Sequence, residues 1–169
     1  FGLIPARSTL DEARARFGMD MEIAVIAAPG ETGALEAYAS NVAAGRIAGK
    51  MILVADVDRE TVTQLRQRAI KSAHMDGSTR KYILRHDDLA RAWHSPIAGI
   101  TFIPATNLDE QTVLSRFGAP AERIRADARI EHFLYPDKGL DLALDSKGKE
   151  VLQYVAPRQF ARLREPLSK

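Results

Sequence analysis

At 169 residues, 46% of them hydrophobic and 27% charged, the chain has the composition of a globular protein large enough to bury a core, which excludes an intrinsically disordered one. Its 24 Lys and Arg against 22 Asp and Glu leave a net charge of +2. The signs alternate along most of the chain, against a nucleic-acid binder, and the main exception is the C-terminal stretch with Arg158, Arg162, Arg164 and Lys169. The absence of cysteine excludes disulfides, thiolate metal sites and cysteine nucleophiles, and no apolar run approaches the roughly 18 residues of a membrane span.

The chain opens with Phe1-Gly2-Leu3-Ile4 rather than Met. We expect a processed or shortened chain, with a signal segment or membrane anchor upstream of Phe1 as one reading. Ile4-Pro5-Ala6 leads to Arg16-Phe17-Gly18, and past the midpoint Ile103-Pro104-Ala105 leads to Arg116-Phe117-Gly118. Leu-Asp-Glu stands in both spacers, at Leu10-Asp11-Glu12 and Leu108-Asp109-Glu110, although the two triplets align together only across a two-residue gap. Each segment predicts a short helix: Ser8 or Asn107 as N-cap, acids in the first turn, and Gly18 or Gly118 in a left-handed C-terminal position. Leu10, Ala13 and Phe17 share one helical face, as do Val113, Leu114 and Phe117.

After the first helix, the alternation of Met21, Ile23 and Val25 with Glu22 and Ala24 predicts a strand. A Pro29-Gly30 turn, a weaker strand from Leu35 to Val42, and an apolar central strand at Met51-Ile52-Leu53-Val54 follow. Asp58 is placed to cap a helix from Arg59 to about Ser72, with Val62, Leu65 and Ala69 inward. Asp76-Gly77 marks a turn, Tyr82 to Leu84 a strand, and Asp87 or Asp88 the cap of a helix carrying Leu89, Ala92 and Trp93 that Pro96 stops. Ile97 to Ile103 reads as a strand. The chain then ends in a meander of Ile130–Tyr135, Leu140–Leu144 and Val151–Ala156. Pro136-Asp137-Lys138-Gly139 and Asp145-Ser146-Lys147-Gly148 connect its strands, each suited to a type I turn with a glycine bulge. The expected class is α+β: short helices on an antiparallel meander sheet, with a tandem repeat of a helix-then-meander unit. Residues 1–96 form the first unit and its helical connector and 97–169 the second, in one cooperative body, since no Ser/Gly-rich linker separates them.

A short helix ending in Phe-Gly before an antiparallel meander resembles the small outer-membrane lipoproteins of the BamE (SmpA/OmlA) family. It also resembles the tandem-repeat β-lactamase inhibitor proteins, which place two such units in one chain. The resemblance runs from Val113 to Val155, through Arg116-Phe117-Gly118-Ala119-Pro120, Tyr135 and Ser146-Lys147-Gly148-Lys149-Glu150-Val151, and in the first unit over Ala13 to Gly18. It implies a periplasmic or cell-envelope protein that works by binding other proteins. The chain differs from the lipoprotein pattern in lacking a lipid-acceptor cysteine and in the additional helices between residues 59 and 95.

Candidate chemistry is sparse. Ala44-Gly45-Arg46-Ile47-Ala48-Gly49-Lys50 lacks the first glycine and the final Ser or Thr of a phosphate loop, and it leads into a strand rather than a helix. His86, Asp87, Asp88 and His94 have the donor types of a metal site, but on one helix His94 falls away from Asp88. His132 and Asp141 could pair across strands, while Glu131 must face away from His132. Trp93 and Phe133 read as core, and the segment Pro157–Leu167, with Phe160 and Leu163 on one side, as docking on the protein's own sheet. We therefore assign no catalytic, cofactor-binding or metal-ligating residue. The expected function is a non-enzymatic protein-interaction module of the envelope with a protein partner and no cofactor. The alternative is a small-ligand binder or hydrolase with a pocket between two sheet units. An open, apolar sheet face would favour the first reading, and convergent polar residues lining a pocket the second.

Overall fold

The computed structural model describes residues 1–168; Lys169, read above as part of the basic C-terminal stretch, lies outside them. The fold is α+β. The helices are α1 (Leu10–Phe17), α2 (Arg59–Gln67), α3 (His86–Ala92), α4 (Glu110–Phe117) and α5 (Ala161–Arg164). The strands are β1 (Glu22–Ala27), β2 (Ala34–Ala44), β3 (Ile47–Ala55), β4 (Lys71–His74) and β5 (Arg80–Ile83), then β6 (Ile97–Pro104), β7 (Glu122–Arg125), β8 (Ile130–Tyr135), β9 (Leu140–Asp145) and β10 (Val151–Val155). They are hydrogen-bonded in the antiparallel order β4-β5-β1-β2-β3-β6-β10-β9-β8-β7.

Two compact units divide the chain. One comprises Gly2–Ala39 and Ile52–Ala98; the other comprises Phe1, Ser40–Met51 and the chain from Gly99 onward. In the first, β1 pairs with β2 on one edge and β5 on the other. Ile23, Val25 and Ala27 of β1 and Leu35 and Ala37 of β2 point to one face and are buried, together with Leu53 of β3 and Val62 of α2. Full burial of Val25, Leu35 and Leu53 stabilises the unit by about 1.5–3 kcal/mol each relative to exposure. Trp93, at the end of α3, is also buried, with the Arg14 guanidinium 4.7 Å from its ring centre.

In the second unit β10, β9 and β8 form the expected meander. Leu152, Leu142 and Phe133 stand opposite one another across three strands and share a buried face with Leu140 and Tyr135. The turn Pro136–Lys138 closes on Gly139 at φ 61° and ψ 29°, the left-handed conformation that the glycine bulge requires. The second turn differs. Gly148 is not left-handed; the Asp145 carboxylate instead accepts the Lys147 N–H at 2.9 Å, so the side chain of Asp145 closes the turn. Phe160 is buried, and the Arg164 guanidinium meets both carboxylate oxygens of Glu122 on β7, at 2.8 and 3.1 Å, which docks the C-terminal helix on its own sheet.

Several helix boundaries depart from expectation. The caps of α1 and α4 are Thr9 and Asp109, accepting from the N–H of Glu12 and Thr112, rather than Ser8 and Asn107. Ser8 instead accepts the Ile4 N–H, and Asn107 accepts from Lys149 Nζ. Gly18 (φ 124°) and Gly118 (φ 80°) have positive φ, but their ψ values of 155° and −171° place them outside the left-handed helical region, in backbone essentially restricted to glycine. Helix α2 ends at Gln67, and Lys71–His74 is strand β4, because those residues pair with Arg80–Ile83. Helix α3 is preceded by Arg85 and has no side-chain cap; Asp87 and Asp88 lie inside its first turn.

Candidate functional site

Strand β1 reads Glu-Ile-Ala-Val-Ile-Ala and is apolar on both faces. One face is the core described above. On the other, Ala24 stands opposite Glu36, Glu22 opposite Tyr38 and Ile26 opposite Lys81. With Ile52 of β3 and Met75, which follows β4, these side chains line an open depression of about 390 Å³. No helix contributes to its lining. Tyr38 and Met75 are 37% and 45% exposed, high for large apolar side chains. Lys81 forms an ion pair with Glu22 at one rim. Glu36 stands on the floor of this face without an ion-pair partner among the described residues, and burial raises its carboxyl above the usual carboxylate range.

A second cluster joins α2 and α3. Asp88 is 3% exposed, and its Oδ1 receives Arg68 and, at 2.9 Å, Arg91; its Oδ2 has no partner among the described residues. Thr61, Gln64 and Ser95 join these groups around a cavity of about 210 Å³. Both arginines meet the same carboxylate that the sequence offered as a metal ligand or helix cap. Asp88 is therefore the anion of an ion triad, while His86 and His94 are exposed.

The structure brings His132 and Asp141 together. Nδ1 of His132 lies 2.9 and 3.0 Å from the two carboxylate oxygens of Asp141, which is 2% exposed. Glu131 is on the opposite face, as strand alternation requires. Among the described residues the imidazole bonds no serine, threonine or other nucleophile, so the pair has the orienting half of an acid–base device and no reacting group. Ala44 to Lys50 forms the β2–β3 hairpin, with strands on both sides of Gly45-Arg46 and hence no helix N-terminus for a phosphate. Among the described residues no three His, Asp or Glu side chains gather as a metal site, and no helix is long and apolar enough to cross a membrane.

The chain matches no protein-family model, and no curated protein or solved structure matches it significantly. Sequence reasoning missed Glu36 and the Arg68–Asp88–Arg91 triad. The two-faced apolar pattern of β1 was the available signal for the open face, because such a strand needs cover on both sides. Only the Asp88–Arg91 half of the triad, three residues apart on α3, was a local signal; Arg68 is twenty residues from Asp88.

Proposed function

We propose that the chain is a non-enzymatic protein-interaction module that docks an apolar partner segment on the open face of β1, β2, β3 and β5. One observation carries this reading: an apolar strand face with no helical cover, holding a half-buried, unpaired carboxylate at Glu36. A carboxylate desolvated by its own fold is destabilised until a cation reaches it. The matching partner is an amphipathic segment with one Lys or Arg among apolar residues, which fills the depression and pairs with Glu36. Tyr38 and Met75 supply the adaptable apolar contacts common at binding surfaces. The resemblance to envelope lipoproteins and inhibitor proteins supports placing this module in the cell envelope.

Selection from a displayed random-peptide library tests the reading. Peptides that bind the wild-type chain should share an apolar pattern with one basic residue. They should lose about tenfold in affinity to Glu36→Gln, the worth of a charged hydrogen bond, and lose binding to Ile52→Lys. Peptides indifferent to both substitutions would overturn it. So would a self-association broken by Ile52→Lys, which would mean that the face pairs two copies of this chain.

A further inference from the structure

In the second unit, Glu150 precedes β10 and is 3% exposed. Its Oε2 has no hydrogen-bond partner, and no Lys, Arg or His lies within ion-pair distance of its carboxylate among the described residues. The adjacent Lys149 does not serve it, because its Nζ is held by the Ala105 carbonyl at 2.7 Å and by Asn107. Buried carboxylates are ordinarily paired, since an isolated one carries the whole cost of desolvation.

Glu150 lines a cavity of about 290 Å³ beside the start of α4. The other carboxylates around it are matched within the chain. Asp145 receives Arg129 at 2.8 Å, Glu131 faces Arg125 at 3.9 Å, Glu110 receives Arg123 at 2.8 Å, and Asp109 caps α4. Glu150 is the one left over. Leu108, Ile130 and Leu144 supply apolar wall to the same cavity. Arg125 and Arg129 also line the cavity, but each faces a carboxylate other than Glu150, so the site presents a buried, unmatched anion beside apolar wall. A bare metal ion does not fit, because no three carboxylates converge on one point.

We propose that this cavity binds an alkylguanidinium or alkylammonium group, whose charged end pairs with Glu150 while its aliphatic stem lies against Leu108, Ile130 and Leu144. The volume suits one side-chain-sized group rather than a peptide. The group could arrive on a free amine or as the Arg or Lys side chain of another protein. The site lies in the other unit from Glu36 and does not depend on the docking face.

The test is an amide-resolved NMR titration of the whole chain with n-butylguanidinium and n-butylamine, and in a second arm with a blocked Gly-Arg-Gly peptide. Saturable shifts confined to Ile130, Leu144, Ser146 and their neighbours are expected. Glu150→Gln should weaken binding about tenfold or more, and without ligand it should melt at a higher temperature than wild type because the unmatched charge is gone. Binding of the free cations alone identifies a small-molecule ligand; equal binding of the peptide identifies a protein side chain. No saturable shift, or equal binding by Glu150→Gln, would overturn the site. If Glu150→Gln does not fold, the wild-type map decides: shifts scattered over exposed carboxylates would count as nonspecific and defeat the proposal.

Discussion

Helices α1 and α4 are built alike and used differently. Both run eight residues from a capping oxygen to a Phe-Gly end, and both C-terminal glycines donate to the carbonyl four residues back, Gly18 to Arg14 at 3.0 Å and Gly118 to Leu114 at 2.9 Å. Aligned at their glycines, they bury the same position, Ala13 or Val113, and leave the same phenylalanine half-covered. The differences begin at the ends. Leu10 opens α1 and is fully buried, whereas the corresponding Glu110 is exposed and paired with Arg123. After α1 the chain enters a strand flanked on both edges; after α4 it enters β7, which among the described residues pairs only with β8. A shared local code therefore shapes a helix and its exit without specifying the sheet around it.

The largest expected effect comes from cutting the chain. A fragment beginning at Ile97 keeps α4 and the meander but loses Ser40–Met51, which belongs to the same compact unit. Ala48 accepts the Ala105 N–H at 2.8 Å, and Gly49 lies so close to the Phe102 ring and the Ile103 carbonyl that a side chain there would collide with both. The fragment should show no cooperative transition in a denaturant melt followed by dichroism. A sharp one would show that α4 and its meander fold without the hairpin.

Next in size is the contrast at the first helical position. Leu10→Ala should destabilise by about 2–5 kcal/mol, as for other buried leucines. Glu110→Ala should stay within about 1 kcal/mol, because exposed ion pairs contribute little. Equal shifts in denaturant midpoint would mean that the two helices are equivalent after all.

Legibility in the sequence followed range. The bounds of β8 were readable because Pro136 and Gly139 mark the turn locally. Strand β4 was not, because Lys71-Ser72-Ala73-His74 continues the polar end of a helix and becomes a strand only through pairing with β5. The caps were misplaced by one or two residues because Ser8, Thr9, Asn107 and Asp109 are all competent caps, and where the helix starts decides among them. The floor of the open face comes from β1, β2 and β3 together with the loop after β4, so nothing around Glu36 itself announced the site. Ranges beyond a few residues are set by pairing, which one chain read in order does not display.

The Phe-Gly ends separate more finely. The Phe117 ring lies 5.9 Å from that of Tyr135, whose hydroxyl donates to the Gly118 carbonyl at 3.0 Å. Phe17 has an arginine, Arg16, as its ring contact. Phe117→Ala should therefore cost more than Phe17→Ala, yet less than the roughly 3–5 kcal/mol of a fully buried ring. Tyr135→Phe should remove about 0.5–1.5 kcal/mol, the net worth of one hydrogen bond. A larger loss at Phe17 would reverse the ordering.

The smallest effect distinguishes the caps by acid. The Asp109 carboxyl is held below its ordinary value, first by the Thr112 hydroxyl and then by the Thr112 N–H, both of which favour the ionised form. Thr9 caps α1 with a hydroxyl that does not titrate. For a carboxyl whose folded pKa is depressed, the stabilisation is fully present above the unfolded value, near 3.8, and is lost as pH falls through the lower folded value. Lowering the pH from 5 should therefore shift the Thr112 amide through loss of its cap only below about 3.8, the unfolded reference, whereas the Thr9 hydroxyl that caps α1 has no charge to lose. Asp109→Asn keeps a capping oxygen and removes the titration, so in that variant both helix starts should respond to acid alike. If the Thr112 amide still moves in Asp109→Asn, the titration belongs to another carboxylate near α4, with Glu110 the first to replace.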